Sequence, residues 1–304
     1  MKARLPYLAI VLLMLPFLAS FLGCLHPLGD SLAVFRLWLA VPAVVAAVAM
    51  VVAGYRRTGL VAIIAIVALV LPILFDHLPV AAVPADYALY QKNLFFRSDN
   101  QAGLITDIAG TKPDFITFQE VSPGNIQVLD NLSHDYPSQL FCPFAAVGGT
   151  AVLSRWPLLN GQIRCGDGFA AMAVKTPAGA VWLVSLHLHW PFPKGQKQQL
   201  DRIVPELSAL NGPVILGGDF NMVPWSHTFR RIANATGTTQ ALPVHYTLRL
   251  VRRKLALLPL DHVLVPTTAT AISVIRRPTF RSDHHGILAR FSLQPTPISA
   301  GSNG

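Results

Sequence analysis

The chain has 304 residues and a net charge of +9, and 52 % of its residues are hydrophobic while only 13 % are charged. A chain of this length holds one large domain or two smaller units, and its composition is too apolar for an average soluble domain. The apolar excess lies in the first quarter of the sequence. The pattern therefore predicts a membrane part followed by a mildly basic soluble part.

Three uncharged apolar runs fill this first quarter: Leu5 to Leu25, Leu37 to Gly54, and Gly59 to Phe75. Each run is close to the ~20 residues that a helix needs to cross a bilayer. Buried helices of a soluble core rarely come three in a row at this length. We therefore predict a membrane anchor of three transmembrane helices within residues 1–76.

The basic residues between these runs predict an orientation in the membrane. Lys2 and Arg4 precede the first run, and Arg56 and Arg57 lie between the second and the third. Because positive charge marks the cytoplasmic side, the N-terminus is predicted inside and everything after the third run outside. This layout suits a bacterial inner membrane, with the C-terminal part in the periplasm. Arg36, in the first loop, is the one charge that opposes it.

The first run also has features of a cleaved signal peptide. Met1 to Gly23 has a charged start, an apolar core and small residues near its end. In that case two spans would remain. The C-terminal part would still lie outside the cytoplasm, so the predicted topology holds in both cases.

The soluble part begins after a predicted linker and ends before a predicted disordered tail. The linker, residues 77–86, has two prolines and no helical period, and the tail, residues 294–304, is rich in Pro, Ser and Gly. Between them, short runs rich in Val, Ile, Leu and Phe predict buried strands, among them Phe115–Phe118, Val181–Leu188 and Val214–Leu216. Helical patterns fit at Gln101–Ile108, Asn125–Asn131 and Lys197–Leu210. Residues 87–293 are therefore predicted to form a layered α/β domain.

Two cysteines lie in this predicted extracytoplasmic part. A disulfide between Cys142 and Cys165 is permitted outside the reducing cytoplasm. The alternative of two free buried thiols stays open, because the sequence does not supply the distance between them.

Polar residues follow the predicted strands at many of their ends. The set comprises Asn93, Glu120, Arg155, His187, Asp219, Asn221, Asp261, Asp283 and His284. Each is weak evidence alone, because an Asp after a strand is usually a turn former. His187 and His189 share one face of a strand, but two histidines without a third ligand do not make a zinc site.

In this order the residues resemble the endonuclease/exonuclease/phosphatase family. The most specific pieces are GGDFN (Gly217–Asn221) and SDH (Ser282–His284), and the resemblance covers about Tyr87 to Phe291. It implies a four-layer α/β sandwich in which two packed mixed β-sheets are flanked by helices. The transmembrane helices have no counterpart in the motif set and read as an added anchor.

The resemblance also implies a phosphoesterase that uses Mg²⁺ or Mn²⁺. Such an ion prefers oxygen ligands and offsets the negative charge of the phosphate. Asn93 and Glu120 are implied as metal ligands, and Asp283 as a support of the metal shell. Asp219 would position or activate the attacking water, with Asn221 holding the phosphate or the water.

Two histidines complete the implied site. His284 would face the phosphate as a cation or proton donor, and Asp261 would hydrogen-bond its other ring nitrogen and favour the charged form. His187 would give a second phosphate contact or proton donor. Whether one or two metal ions act stays open.

Substrate contacts are predicted from basic and aromatic residues. The basic run Arg249 to Lys254 contains Arg252 and Arg253 and could clamp phosphates of nucleic acid or lipid headgroups, or form a solvated hairpin. Arg155 is a further candidate contact. Trp190 could stack on a base, sit at a membrane surface or pack in the core.

Three functions remain as alternatives. The first is an extracytoplasmic phosphodiesterase of the nuclease type. The second is a lipid-headgroup or inositol-phosphate phosphatase, or a sphingomyelinase-like hydrolase, which a membrane anchor favours by proximity. The third is a catalytically inactive binding module. A fold family does not name a substrate, and no obligate protein partner is inferred.

Overall fold

The computed structural model describes residues 4–79, 84–250 and 255–294. Within these ranges, four helices precede two large β-sheets: α1 (Arg4–Ala19), α2 (Pro27–Ala33), α3 (Arg36–Val52) and α4 (Arg56–Phe75). Three of them, α1, α3 and α4, fall on the three predicted apolar runs. The first run does not stay helical to Leu25, since α1 ends at Ala19 and α2 occupies the segment that was predicted as a loop.

The lengths of these helices bear on the predicted spans. At 1.5 Å per residue, the 20 residues of α4 cover the ~30 Å hydrocarbon core of a bilayer, and α4 is apolar after its first three residues and mostly exposed. The 16 described residues of α1 cover roughly 24 Å. The pair α2 and α3 is apolar enough only when taken together, across a bend of 81°. Length and composition thus support α4 as a span, and three spans stay a prediction.

The first sheet has six strands in the order β13–β14–β1–β2–β4–β3. Its strands are β1 (Tyr87–Asn93), β2 (Phe115–Val121), β3 (Ser138–Ala145), β4 (Gly148–Ser154), β13 (Thr270–Arg277) and β14 (Gly286–Ser292). Strands β1 and β2 are parallel, and their neighbours are antiparallel, so the sheet is mixed.

The second sheet also has six strands, in the order β5–β6–β7–β8–β12–β9. Its strands are β5 (Leu158–Gly166), β6 (Phe169–Thr176), β7 (Gly179–His187), β8 (Val214–Asp219), β9 (Thr238–Gln240) and β12 (Asp261–Pro266). Its one parallel pair is β7 and β8. A separate two-stranded ribbon pairs β10 (Leu248–Leu250) with β11 (Leu255–Leu258).

Helices cover the outer face of each sheet. The pair α5 (Ala102–Thr111) and α6 (Gln127–Leu132) shares a core with the first sheet, while α7 (Gln196–Ser208) and α8 (His227–Thr236) share one with the second. A third core, built from both sheets, lies between them. The predicted four-layer sandwich is therefore confirmed. The three helices predicted within this domain are also present, with bounds shifted by one to three residues.

The sheets approach each other closely at the GGDFN motif. A Cβ added at Gly217 would lie 2.4 Å from Thr117 Oγ1 and 2.9 Å from a methyl carbon of Leu89, both on the first sheet. Any larger residue would push the layers apart where interiors are already close-packed. This glycine of the motif thus serves the packing that brings the strand ends together.

A disulfide joins Cys142 in β3 to Cys165 in β5, with 5.5 Å between their Cα atoms. It links an edge strand of one sheet to an edge strand of the other. Of the two alternatives left open by the sequence, the structure has the disulfide. Residues 80–83 of the predicted linker and 295–304 of the predicted tail lie outside the described residues.

Candidate active site

The ends of four strands meet at one edge of the sandwich. Parallel pairing of β7 with β8 sets His187 opposite Asp219, and antiparallel pairing of β12 with β8 sets Asp261 opposite the same Asp219. Asn93 ends β1 on the facing sheet, opposite Gln119 in β2. His187 and Asp219 line a pocket of about 370 Å³, while Asn93 and Asp261 bond the lining residues Asp219 and His284 from beside it. Register within the sheets thus collects residues that are far apart in sequence.

Asp219 lies at the centre of this pocket and is buried. Its Oδ2 accepts a hydrogen bond from Asn93 Nδ2 at 2.9 Å, and its Oδ1 accepts one from the backbone N–H of Asn221 at 2.9 Å. The Nε2 atoms of His284 and His187 lie 3.7 Å and 3.8 Å from Oδ2. Burial raises the pKa of Asp219, and the positive charge of His284 offsets this rise only in part. Asp219 is therefore a carboxylate that can take up a proton near neutral pH.

His284 forms a buried pair with Asp261, joined by 2.7 Å between Nδ1 and Oδ2. The other oxygen of Asp261 accepts a hydrogen bond from Gln91 Nε2 at 2.9 Å. Burial alone would lower the pKa of His284, but Asp261 and Asp219 together outweigh it and hold that pKa well above its usual range. The ring is an imidazolium at neutral pH, with Nε2 turned toward Asp219.

His187 is in the opposite protonation state. Burial, together with the nearby charge of His284, lowers the pKa of His187 to about 3, so its imidazole is neutral. Its Nδ1 atom is buried and has no hydrogen-bond partner among the described residues. His187 can therefore donate one hydrogen bond into the pocket, but it is not a source of positive charge.

Glu120 lies at an irregularity of β2 that turns its side chain into the pocket. The register of β2 with β4 shifts between Phe118 and Val121, and Glu120 has a φ of 57°. Such bulges re-aim side chains at functional sites, and a left-handed conformation at a glutamate costs ~1–3 kcal/mol. Its oxygens accept hydrogen bonds from Asn93 Nδ2 at 3.1 Å and from the backbone N–H of Phe96 at 2.8 Å.

The carboxylates of Glu120 and Asp283 fit a divalent cation. Burial raises the pKa of Glu120, and the charge of Asp283 raises it further. The Oδ1 atom of Asp283 is buried without a hydrogen-bond partner among the described residues. Two neighbouring carboxylates, one with an unpaired oxygen, are the oxygen-rich surroundings that Mg²⁺ or Mn²⁺ prefers.

A second group of potential ligand atoms consists of Asp219, Asp261 and His284, which lie within 4.8 Å of one another. We consider it a weaker metal site. The Nδ1 atom of His284 already bonds Asp261, and Gln91 holds the remaining oxygen of that aspartate. A protonated imidazole also repels a cation.

The structure brings together every predicted metal-binding and catalytic residue: Asn93, Glu120, His187, Asp219, Asn221, Asp261, Asp283 and His284. Two of them are more constrained than predicted. Asn93 Oδ1 accepts the N–H of Phe95 at 2.9 Å, and its amide group bridges Glu120 and Asp219. Asn221 Nδ2 donates to the carbonyl of Leu188 at 2.7 Å, which fixes the amide beside Asp219.

The predicted substrate contacts fare differently. Trp190 lines the mouth of the pocket and is half exposed. The backbone N–H of Arg155 donates to the backbone carbonyl of Asp114, which directly precedes β2. Glu120 lies near the other end of β2, so Asp114 and Glu120 are roughly 20 Å apart along the extended strand. Arg155 is therefore too far from the pocket to bind a small substrate there, which corrects that prediction. Arg252 and Arg253 lie outside the described residues.

Sequence reasoning missed three residues that support the site. Gln91 holds Asp261, and the alternation of side chains along β1, which puts Gln91 on the same face as Asn93, was a usable signal. The hydroxyl of Thr247 accepts the backbone N–H of Asp261 at 3.1 Å. Lys92 Nζ donates to the carbonyl of His284 at 2.5 Å, from the opposite face of β1. The contacts of Thr247 and Lys92 span long sequence distances and have no local signature.

Similarity to known proteins identifies the class of protein that has this fold and site. The chain belongs to the Endonuclease/Exonuclease/phosphatase family, whose profile matches residues 91–284. Members of this family are hydrolases of phosphate esters, so the chain is a hydrolase that acts on phosphate ester bonds. A search among curated proteins finds no match.

Solved structures show the same fold at low identity. A humanised D. rerio TDP2 is 18 % identical, covers 68 % of this chain and 99 % of its own, and has a TM-score of 0.56. An endonuclease/exonuclease/phosphatase from Beutenbergia cavernae is 15 % identical over 71 % of this chain and 74 % of its own, with a TM-score of 0.57. The 3′ phosphatase NExo from Neisseria, bound to a product DNA hairpin, is 16 % identical over 68 % and 100 %, with a TM-score of 0.56.

Proposed function

We infer that this chain is a membrane-anchored, divalent-metal-dependent phosphodiesterase that hydrolyses its substrate by in-line attack of an activated water. The observation that carries this proposal is the arrangement around Asp219. A buried carboxylate with a raised pKa faces a cationic imidazole, His284, whose charge Asp261 maintains. Such a pair offers a proton acceptor and a positive charge within one pocket, which is what attack on a phosphate anion requires.

The roles of the individual side chains follow from their contacts. Asp219 accepts the proton of the attacking water, and its oxygens are aimed by Asn93 and by the backbone of Asn221. His284 faces the phosphate oxygens as an imidazolium. His187, being neutral, donates a hydrogen bond to the phosphate or the leaving group.

Glu120 and Asp283 would hold the divalent ion, with Asn93 beside them. When bound, the ion binds phosphate oxygens and reduces the negative charge that repels the nucleophile. Removing it with a chelator is expected to abolish turnover, and Mg²⁺ or Mn²⁺ should restore it.

Several features support an anchored catalytic domain outside the cytoplasm. Most of the exposed large apolar side chains among the described residues lie on α1, α3 and α4, where a soluble protein would leave a sizeable apolar patch uncovered. The disulfide between Cys142 and Cys165 suits an oxidising compartment. The basic residues Arg56 and Arg57 begin α4, at the end where a cytoplasmic turn is proposed.

The test uses the full chain in detergent with bis(p-nitrophenyl) phosphate as a soluble diester and supercoiled plasmid DNA in parallel. We expect diester turnover that depends on Mg²⁺ or Mn²⁺ and is lost in Asp219→Asn. The exposed Asp201, which pairs with Lys197 on α7, gives the matched control Asp201→Asn. Full turnover in EDTA, or an active Asp219→Asn variant, would contradict the mechanism. Plasmid nicking would favour a nuclease.

A further inference from the structure

The segment between α1 and α3 contacts the catalytic domain. Asp30, which is buried, accepts hydrogen bonds from the backbone N–H groups of His227 at 2.8 Å and Thr228 at 2.7 Å. These are the first two residues of α8, whose N-terminal N–H groups have no partner within the helix. The next N–H, that of Phe229, is accepted by Ser226 Oγ. A carboxylate from the anchor thus completes a helix of the catalytic domain.

Further contacts from the same segment surround Trp225. The indole Nε1 of Trp225 donates to the carbonyl of Ala33 at 2.8 Å, and Arg36 Nη1 donates to the carbonyl of Trp225 at 3.3 Å. Ala33 and Val34 are buried in the same core as the outer face of the second sheet. Arg36, the charge that opposed the predicted orientation, is therefore accounted for as a contact to the catalytic domain.

The end of α4 contacts the domain beside the same tryptophan. The backbone N–H of Val244 donates to the carbonyl of Asp76 at 2.8 Å, and His77 Nδ1 lies 2.7 Å from the carbonyl of Val244. The ring of His77 stacks on Tyr246 with 4.9 Å between centroids. We call residues 20–36 together with Asp76 and His77 the anchor dock.

The anchor dock gathers three helix ends on one side of the helices. The end of α1, the start of α3 and the end of α4 all face the catalytic domain, whereas the turn between α3 and α4 lies at the far end of both helices. In a three-span anchor, the first loop and the C-terminal domain lie on the same side of the membrane. The dock is consistent with that arrangement and fixes the domain against the bilayer surface.

The active-site pocket lies next to the dock along three separate chain segments. Trp190 lines the pocket, and Phe192, two residues later, accepts a hydrogen bond from Ser31. Leu248 lines the pocket two residues after Tyr246, and Asn221 lines it four residues before Trp225. Two residues of extended chain reach at most ~7 Å and four at most ~14 Å. The pocket is thus close to the level where the helices leave the hydrocarbon core.

On this side the pocket has a rim of two exposed aromatic side chains: Trp190, which lines the pocket, and Phe192, which follows two residues later in the chain. Trp190 is 49 % exposed and Phe192 is 44 % exposed, which is unusual for side chains of this size in water. Aromatic residues favour the interfacial layer of a membrane, which is about 5–8 Å thick on each side of the hydrocarbon core. Phe192 also contacts the His26 ring of the dock, so this rim continues directly from the anchor.

We propose that the anchor dock makes the mouth of the pocket face the lipid headgroups. We propose that the substrate is the phosphate ester of a lipid in the leaflet on the same side of the membrane as the domain. The proposal rests on the phosphodiesterase activity inferred above and adds its substrate class. A polar floor of carboxylates and imidazoles under an apolar rim matches a lipid, whose charged headgroup is joined to an apolar body. A long nucleic acid would have to enter between the domain and an anionic bilayer surface.

The first experiment reconstitutes the full chain in vesicles that contain phosphatidylethanolamine, phosphatidylglycerol, phosphatidylinositol phosphate and phosphatidic acid. Headgroup release is measured beside turnover of bis(p-nitrophenyl) phosphate and nicking of plasmid DNA. Asp30→Ala combined with Arg36→Met loosens the dock without touching the pocket. We expect this variant to lose lipid turnover about tenfold or more, because misplacement costs rate steeply, while turnover of the soluble diester changes by less than about twofold.

The second experiment keeps the contacts of Asp30 and Arg36, so it does not depend on whether that variant folds. The free Cys24 is replaced by Ser, and a fluorophore is attached at Phe192→Cys or, as a matched control, at Ala180→Cys. Ala180 is exposed and is the second residue of β7, the strand that ends in His187 roughly 23 Å away. Nitroxide-labelled headgroups should quench the label at position 192 and leave the one at position 180 bright.

The outcomes separate this proposal from the phosphodiesterase on which it rests. Metal-dependent lipid turnover that needs the dock, with quenching at position 192 alone, supports it. Turnover of plasmid or soluble diester without turnover of any of the four lipids overturns the lipid substrate and leaves the phosphodiesterase standing. Equal quenching at positions 192 and 180 overturns the docked geometry. No turnover of any substrate would instead overturn the phosphodiesterase.

Discussion

The active site and the anchor dock each contain a buried aspartate whose two oxygens accept hydrogen bonds, but the bonding partners differ in kind. Asp261 gives its two oxygens to side chains, His284 and Gln91. Asp30 gives its two oxygens to backbone N–H groups, those of His227 and Thr228. One carboxylate sets the charge of a reacting group, and the other fixes the position of a helix.

This difference determines which residue types each region requires. A contact between side chains needs particular residue types at both ends, so the pocket leaves a motif in the sequence. Any residue except proline offers a backbone N–H. The positions that bond Asp30 therefore need no particular residue type and show no motif in the sequence. Substitutions in the pocket should therefore lower turnover of every substrate, whereas substitutions in the dock should change the free energy of unfolding and the placement of the domain and leave turnover of a soluble diester nearly unchanged.

The largest effect is expected for Asp219→Asn, which removes the proton acceptor while keeping the size of the side chain. Turnover of a soluble diester should fall by about 10²–10⁴-fold, the usual contribution of a general base. Steady-state kinetics on the full chain measures it, with Asp201→Asn treated identically. A loss of less than about tenfold would assign the base to another group.

A smaller loss is expected for Asp261→Asn, because His284 stays in place but loses the charge that keeps it protonated. We expect turnover to fall about 10²–10³-fold with little change in KM, since positioning and charge act in the transition state. Gln91→Leu, which keeps Asp261 charged but removes the hydrogen bonds from Gln91 to Asp261 and Gln119, should fall between this variant and the unmodified chain. The reverse order of the two variants would contradict the role given to Asp261.

Opening the disulfide should affect stability but not turnover. The bridge closes a loop with a sequence separation of 23, which in the chain-entropy view contributes about 3 kcal/mol. Cys142→Ser with Cys165→Ser should lower the thermal midpoint in detergent while keeping metal-dependent turnover. Unchanged stability after reduction would show that the two sheet edges do not depend on the bridge.

The smallest effect is expected in the dock. Asp30→Asn keeps one acceptor oxygen for the start of α8 and removes the charge that favours a helix N-terminus, which costs about 0.5–2 kcal/mol. His227→Ala keeps the backbone N–H and should cost less. Thermal unfolding of both variants tests the comparison: a larger loss for His227→Ala would show that side chains, not backbone groups, hold the dock.

Much of the pocket could be predicted because its residues follow strands in a recognisable order. The order of the motifs predicts Asn93, Glu120, Asp219 and His284 as site residues, and the structure brings their side chains together. The same reasoning predicts Arg155, which instead follows β4 at the end far from the site. Adjacency to a motif does not say which end of an antiparallel strand faces the site.

The sequence by itself determined the apolar first quarter, the α/β layers and the chemical identity of the site, because periodicity and local motifs carry these. Tertiary structure decided which edge of the sandwich holds the pocket, the bond between Cys142 and Cys165, and the contact of Asp30 with α8. These depend on strand register and on backbone groups almost two hundred residues away. No local pattern of side chains records such distances, so only the folded chain reveals that the N-terminal helices contact the C-terminal α/β domain.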